Sequence, residues 1–173
     1  MTRYNLKRMI RGSQSQEAKD LENKSLHGKT DKIINRLEAI RSAHRTKMND
    51  SATGRMEDYL EVIYELTQHK GYATSIDIAE CLDVSQPSVT AMMRRLDRSE
   101  LIDYEKYRGI RLTERGINIA KAIHERHGIV LEFLRMIGVN EDIANRDSEE
   151  IEHHVDPETL RRLRELLEHM KAS

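Results

Sequence analysis

Several residue types that build common kinds of site are rare or missing. The 173 residues include a single cysteine, Cys81, which excludes an intrachain disulfide and a cysteine-based zinc site. No apolar run approaches the roughly 20 residues of a membrane helix, and the first residues lack the apolar block of a secretory signal. The zinc-protease motif His-Glu-x-x-His is also missing. These absences favour a cytoplasmic protein that makes no membrane contact.

Charge is abundant and unevenly distributed. Charged residues make up 34% of the chain, yet the formal net charge is −1. Residues 1–54 carry twelve Lys and Arg against six Asp and Glu, whereas residues 55–116 and 117–173 are each net negative. The excess of acid in these two segments argues against indiscriminate nucleic-acid binding. It fits a protein whose acids need a cation before it binds.

Residues 1–54 are expected to form a basic, partly disordered N-terminal arm. Polar and basic residues dominate its first part, while apolar residues recur at helical spacing within 31–47. We expect a short helix there, with its basic side chains opposite the apolar ones, packed on the body or on a partner subunit. The arm would either contact DNA phosphates or only keep the chain soluble. The apolar positions are Ile33, Ile34, Leu37 and Ile40.

The pattern of residues 55–116 predicts a winged helix-turn-helix domain. Thr74 and Ser85 are suitable N-caps for two helical patterns that a tight turn separates. Alternating apolar residues beside a turn at 106–109 predict a β-hairpin, which would be the wing. One long helical pattern and two further ones follow, over residues 117–173. The predicted fold class is therefore mainly α, a winged helix-turn-helix DNA-binding domain followed by an all-helical domain.

The second helix of this pair presents outward the side chains that a major-groove reader uses. Gln and Arg match purine edges, Ser and Thr serve bases or phosphates, and the N-terminal part of such a helix faces the bases. A helical hairpin with a solvated polar face is the alternative, and the adjacent wing favours DNA binding. Candidate contacts to bases or the adjacent backbone are Ser85, Gln86, Ser88 and Thr90. Candidate phosphate contacts are Arg94, Arg95 and the wing residue Arg108.

Two short acidic motifs suggest a site for a divalent metal. Glu149, Glu152 and His153 are three and four residues apart, so on a helix their side chains share one face. Asp58 and Glu61 repeat the one-turn spacing on the first helix of the winged domain. Carboxylate and imidazole groups that converge on one point can bind a divalent ion, and a buried acid cluster needs such a cation. The alternative for both motifs is a solvated acidic face.

His127 also has two possible roles, as a metal ligand or as a residue of the hydrophobic core. It follows Ile123 by four residues and lies on the apolar side of the long helix. A lone histidine on such a stripe is more often a satisfied core residue than a ligand. Its role as a ligand therefore depends on the acidic motifs lying close to it.

From Met56 to about Leu167 the chain resembles the DtxR/MntR family of metal-dependent repressors, and within it the manganese transport regulators. The matching stretches occur in the same order as in the family. They are MEDYLEVIY, GYATSIDIAECLDVSQPSVTAMMRRLD, YEKYRGIRLTERG, ERHGIVLEFLRMIGV and EEIEHHV. The resemblance implies a metal-ligand set in which six positions match by residue type. These are Asp58, Glu61, His127, Glu149, Glu152 and His153.

The resemblance also implies a function. Residues 117–173 would bind metal and dimerise, and one or two Mn(II) ions per subunit would hold the domains of a homodimer in place on double-stranded operator DNA. Without metal, the clustered carboxylates would repel and the domains would move. Such a protein represses manganese uptake genes when manganese is plentiful. It is a regulator and not an enzyme, and it takes no small-molecule substrate.

Three alternatives stay open. An Fe(II)-responsive repressor would use the same scaffold, although the iron branch has Met where Asp58 stands and Cys where Glu149 stands. Carboxylates at these positions make the site harder, which suits Mn(II) better. A carboxylate-bridged metalloenzyme is a second alternative, because the stretch from Glu150 to His153 has the Glu-x-x-His spacing, but no second copy of that motif is found. The third is a winged-helix adaptor that works without metal.

Overall fold

A computed structural model of the chain describes residues 23–46, 52–105 and 109–172. These residues form seven helices and one two-stranded sheet. The helices are α1 (Asn23–Thr46), α2 (Ala52–Lys70), α3 (Ser75–Leu82), α4 (Gln86–Arg98), α5 (Glu114–Met136), α6 (Glu141–Glu152) and α7 (Pro157–Lys171). The strands are β1 (Ile102–Glu105) and β2 (Gly109–Leu112). The prediction of a mainly α fold that contains a winged helix-turn-helix is confirmed.

Local capping fixes the helix-turn-helix. The Thr74 hydroxyl accepts the backbone N–H of Asp77, and the Asp77 carboxylate accepts the N–H of Thr74, which makes a complete capping box at the start of α3. α3 ends at Asp83, which adopts the left-handed conformation (φ 57°). Ser85 then caps α4 by accepting the N–H of Ser88. The chain therefore turns sharply between α3 and α4.

The wing is the antiparallel pair β1 and β2. Ile102 lies opposite Leu112 and Tyr104 lies opposite Ile110. The tip of the hairpin, residues 106–108, lies outside the described residues, and so does the predicted contact Arg108. The hairpin returns the chain to α5, whose first turn lies very close to the start of the wing. A Cβ atom on Gly116 would overlap the carbonyl oxygen of Leu101, so this approach requires glycine.

Two hydrophobic cores of unequal size lie in the described residues. The larger joins the winged domain to α1, and the smaller lies between α5 and α7, around Val130, Leu160 and Leu167. A small core covers little apolar surface, and the C-terminal helices leave several large side chains exposed. These are Ile137, Ile143, Ile151, Leu166 and Met170. Exposed apolar side chains of this size are available for contact with another protein.

α1 is longer and more deeply packed than the short helix predicted within 31–47. Its apolar residues Ile34, Leu37 and Ile40 are fully buried in the larger core, and it contacts α2, α3 and α6. The expectation that its basic side chains face away from the apolar ones is wrong for Arg36 and Arg41, which are both buried. Helical geometry explains this, because residues three or four apart share a face and both arginines stand at that spacing from apolar residues. The rest of the predicted arm, 1–22 and 47–51, lies outside the described residues.

None of the helices in the described parts of the chain combines the length and the apolar character that crossing a membrane would require.

Candidate metal centre

Four carboxylates from two helices meet in the interior. Asp58 and Glu61 project from α2, and Glu149 and Glu152 project from α6. Each residue is at most 2% exposed, so the alternative of a solvated acidic face is wrong for both motifs. The one-turn spacing within each helix gives every pair a common face, as the sequence predicts. The packing of α1 and α5 around them excludes water from that face.

One oxygen or nitrogen from each of Asp58, Glu61, Glu149 and His153 lies within 4.8 Å of the other three. Ligand atoms on opposite sides of a hard cation lie about 4.2 to 5.2 Å apart, since bond lengths run from about 2.1 to 2.6 Å. His153 is the C-cap of α6, and its Nε2 lies 3.1 Å from Glu152 Oε1. The same nitrogen lies 3.9 Å from Asp58 Oδ1 and 3.9 Å from Glu149 Oε1. These distances fit a single divalent ion.

His127 joins the cluster from α5. Its Nδ1 lies 3.3 Å from Glu149 Oε2 and 3.3 Å from the Ser148 hydroxyl. Burial, together with the positive charge of Arg36, lowers the pKa of His127 from 6.5 to about 4. The ring is therefore neutral at physiological pH and has a lone pair to give to a metal. The side chain is both buried, as a core residue would be, and close to the acids, as a ligand would be.

Arg36 of α1 enters the same cluster, which the sequence analysis missed. Its guanidinium donates to Glu61 Oε1 and Glu149 Oε2 and contacts His127 Nδ1, and its side chain is 7% exposed. The signal in the sequence is its spacing, three residues after Ile33 and four before Ile40, which puts a charged residue on the apolar face of a helix. Nothing in that spacing says which acids it meets.

The cluster holds more negative charge than its cations balance. Burial raises the pKa of Glu61 well above its usual value, although Arg36 opposes the shift. Burial also favours the neutral form of Glu149, but Arg36 and the two nearby histidines outweigh it and hold the pKa of Glu149 well below its usual value. Burial raises the pKa of Glu152. One guanidinium shared between two buried carboxylates thus stabilises the charge of only one.

Three buried carboxylate oxygens in the cluster lack a hydrogen bond. Glu61 Oε2, Glu149 Oε1 and Glu152 Oε1 accept none from any residue that the structure describes. Burying an ionised carboxylate costs several kcal/mol unless a cation or donors compensate it. Oxygen and imidazole donors without sulfur suit a hard or borderline divalent ion such as Mn(II) or Fe(II). The residues present therefore fit a divalent metal.

Further side chains orient the carboxylates. Arg126 Nε donates to Glu152 Oε2 at 2.9 Å, and its NH2 donates to Glu57 Oε2 at 3.1 Å. His44 Nδ1 lies 2.7 Å from Asp58 Oδ2. Partners of this kind fix which oxygen of a carboxylate points at a metal. The roles of Arg126, Glu57 and His44 were not predicted from the sequence.

The predicted DNA contacts occupy the exposed start of α4 and its later turns. Ser85, Gln86 and Ser88 are exposed, while Thr90 is half-buried and donates to the Gln86 carbonyl at 3.0 Å. The Gln86 side chain donates to the Ser75 carbonyl at 3.3 Å, a long contact that leaves it able to turn toward a base. Arg94 is exposed and Arg95 is half-buried.

Two family models match the chain in sequence. The iron dependent repressor N-terminal DNA binding domain matches residues 52–110, and the iron dependent repressor metal binding and dimerisation domain matches residues 113–173. Among curated proteins, an HTH-type transcriptional regulator MntR of Oceanobacillus iheyensis is 45% identical over 119 residues, which cover 69% of this chain and 81% of the relative. The MntR of Bacillus subtilis is also 45% identical over 119 residues and is covered to 84%.

Solved structures agree with these matches. The structure of the manganese regulator SloR is 31% identical, with a TM-score of 0.58 over 65% of this chain. The chain spans about half of that structure, with 53% covered. The predicted family is therefore confirmed, and so is the prediction of a regulator that is not an enzyme. The chain belongs to the iron-dependent repressor family of DNA-binding transcriptional regulators, in which a DNA-binding domain precedes a metal-binding and dimerisation domain.

Proposed function

We propose that this chain is a manganese-responsive transcriptional repressor that acts as a homodimer on operator DNA in the cytoplasm. The observation that carries the proposal is the meeting of carboxylates and imidazoles from α2, α5 and α6, in which three buried carboxylate oxygens accept no hydrogen bond from a described residue. The names of its relatives support it, since several are MntR regulators and one solved neighbour is a manganese regulator.

The proposed ligands come from both domains. The carboxylates of α2 in the winged domain and of α6 in the C-terminal domain would hold a divalent ion between them. The ion would supply the positive charge that offsets their mutual repulsion, and the ring of His127 would offer a further nitrogen from α5. The ligand set is Asp58, Glu61, His127, Glu149, Glu152 and His153.

Fixing α2 against α6 controls DNA binding through geometry. α4, the reading helix, packs on α2, so its direction follows that of α2. In a two-fold dimer the two reading helices must enter successive major grooves about 34 Å apart. A metal ion that connects the two domains would lower the free energy needed to reach that spacing. This decrease is the coupling free energy between metal binding and DNA binding.

The DNA contacts follow from exposure and chemistry. We assign base or adjacent backbone contacts to the start of α4, and phosphate contacts to its later arginines and to the wing. The first group is Ser85, Gln86, Ser88 and Thr90, and the second is Arg94, Arg95 and Arg108. The exposed apolar side chains of the C-terminal helices, such as Ile151 and Leu166, supply a surface for the second subunit.

An Fe(II)-responsive repressor is the second candidate, and the name of the matching family models favours it. The donors favour Mn(II), because no sulfur atom is among them and iron binds softer ligands more readily. The test measures binding to promoter DNA of manganese uptake genes at matched free Mn(II) and Fe(II), without oxygen. We expect Mn(II) to induce binding at the lower free concentration. Stronger induction by Fe(II) would reassign the metal, and full binding with a chelator present would favour a metal-independent adaptor.

A further inference from the structure

Arg36 contacts one side of the acidic cluster. On the other side, called the open side here, carboxylate oxygens accept no hydrogen bond from a described residue. The Arg36 guanidinium contacts Glu61 Oε1, Glu149 Oε2 and His127 Nδ1, three atoms of the kind that bind metals. The second oxygens of the same two carboxylates, Glu61 Oε2 and Glu149 Oε1, accept no hydrogen bond from a described residue. Each carboxylate therefore has one oxygen on Arg36 and one oxygen on the open side, as a carboxylate has when it bridges two cations.

We propose that Arg36 is a built-in cation that takes the place of a second metal, so that each subunit binds a single divalent ion. This inference rests on the proposed metal-responsive function and deepens it. The ion would bind on that side, among Asp58, Glu152 and His153 and the oxygens Glu61 Oε2 and Glu149 Oε1. Five of the six proposed ligands would then hold the ion, and His127 would contact Arg36 instead. Glu61 and Glu149 would bridge the ion and the guanidinium.

Charge balance supports one ion. The buried carboxylates are Asp58, Glu61, Glu149 and Glu152, and the arginines that contact them are Arg36 and Arg126. The two arginines and one divalent ion together carry four positive charges, as many as these four carboxylates carry negative charges. A second divalent ion in contact with Arg36 would place two cations side by side in a buried site, which is costly.

The packing of α1 supports a permanent place for Arg36. Ile34, Leu37 and Ile40 are fully buried in the larger core, so α1 cannot withdraw without exposing them. One turn further along, Arg41 donates to the carbonyl oxygens of Glu80 and Cys81, at 2.9 Å and 2.5 Å, near the end of α3. The helix that carries the built-in cation is thus also fixed to the helix-turn-helix.

The test counts Mn(II) ions in the whole protein and examines whether they interact. Equilibrium dialysis gives the number per subunit, and electron paramagnetic resonance distinguishes an isolated Mn(II) from an exchange-coupled pair. We expect about one ion per subunit in the wild type, with the spectrum of an isolated ion. Arg36→Met should bind a second ion on the vacated side and give a coupled spectrum. Arg36→Lys, which keeps the charge, should remain at one.

Arg41→Met is the matched control, because Arg41 is also buried on α1 but contacts backbone carbonyls outside the cluster. It should leave the count at one. A coupled pair of ions in the wild type would overturn the inference while the proposed function stands, as would a folded Arg36→Met that binds one ion. If the wild type binds no Mn(II), the proposed function fails as well. The wild-type count decides the matter even if circular dichroism shows that Arg36→Met does not fold.

Discussion

The protein places the same residue types in two opposite settings. In the metal centre, acidic residues one turn apart on α2 and α6 are buried and share the guanidinium groups of Arg36 and Arg126. On α7, Glu158 and Glu165 are also close along the helix, yet they lie in solvent with arginines beside them. The α7 contacts of Arg161 and Arg162 with these two acids measure between 2.5 and 3.2 Å.

The two settings differ chiefly in the neighbouring helices, which bury the acids of the metal centre and leave Glu158 and Glu165 in solvent. On α7 a hydrogen bond from Arg161 lowers the pKa of Glu158, and water screens the charges. In the metal centre, burial raises the pKa of Glu61 even though Arg36 contacts it. The exposed acids on α7 are stabilised by adjacent arginines and by water, whereas the buried acids of the metal centre require a further cation. Only the second setting can report whether a metal is present.

Removing one buried charge should break this contrast most strongly. In Glu149→Gln the side chain keeps its size but loses the charge that α6 gives to Arg36, His127 and the open side of the site. We expect the dissociation constant for Mn(II), measured by titration calorimetry, to rise by at least about a hundred-fold, since even supporting residues of metal sites contribute about ten- to a hundred-fold.

The control for this change is Glu158→Gln, the same substitution in the exposed row. It should leave Mn(II) binding as in the wild type, because Glu158 lies on α7, outside the cluster. Wild-type affinity in Glu149→Gln would remove Glu149 from the ligand set.

Two arginines permit a matched test of stability. Arg126 contacts the buried Glu152, whereas Arg164 contacts the exposed Glu125 at 2.7 Å. Arg126→Met should lower the free energy of unfolding by about 2 to 3 kcal/mol, because a buried carboxylate loses its partner. Arg164→Met should change it by less than about 0.5 kcal/mol. Urea unfolding with a chelator, at one protein concentration, measures both, and equal effects would contradict the contrast.

Local signals made much of the fold predictable. The helix-turn-helix could be predicted from Thr74, Asp77 and Ser85, because their side chains form hydrogen bonds with backbone groups within three residues. The faces of α2 and α6 follow from helical geometry, so the acids within each helix could be paired in advance. The family resemblance then brought His127 and the two acidic motifs together, and the structure agrees with that grouping.

The contributions of α1 could not be predicted in the same way. Arg36 lies 25 residues from Glu61 and 113 residues from Glu149 along the chain. Its pattern predicts a helix with an apolar face, but the docking of that face depends on the whole assembled core. The length of α1 also exceeds its apolar pattern, since it begins at Asn23. Long-range packing, and not local propensity, determines both features.

The stability of the protein should depend on pH through His127, which lies in the buried cluster. Burial and Arg36 lower the pKa of His127 to about 4, below its unfolded value of 6.5. Its contribution to stability is therefore present above about pH 6.5 and is lost as the pH falls toward 4. Between these values the unfolded chain binds a proton at His127 and the folded chain does not. Without metal, lowering the pH from 6.5 to 5 should cost the wild type about 1.5 kcal/mol more than His127→Gln.

Urea unfolding at a series of pH values in chelator measures this difference. His127→Gln serves as the reference, because it keeps Glu61, Glu149 and Glu152 and removes the ring that takes up a proton between pH 6.5 and 4. Parallel curves for the wild type and His127→Gln would show that His127 is not held neutral by its surroundings.

The smallest effect is expected in the exposed row on α7. A double-mutant cycle with Arg161→Ala and Glu165→Ala should give only a small favourable coupling free energy, since both side chains are about half exposed. The coupling should vanish in 1 M salt, where the Debye length falls to about 3 Å. The decrease in the free energy of unfolding caused by Arg126→Met should change little in the same salt, because Glu152 is buried. A coupling on α7 that survives high salt would mean that exposed and buried acids in this protein obey the same rule, and burial would no longer explain why only one cluster needs a cation.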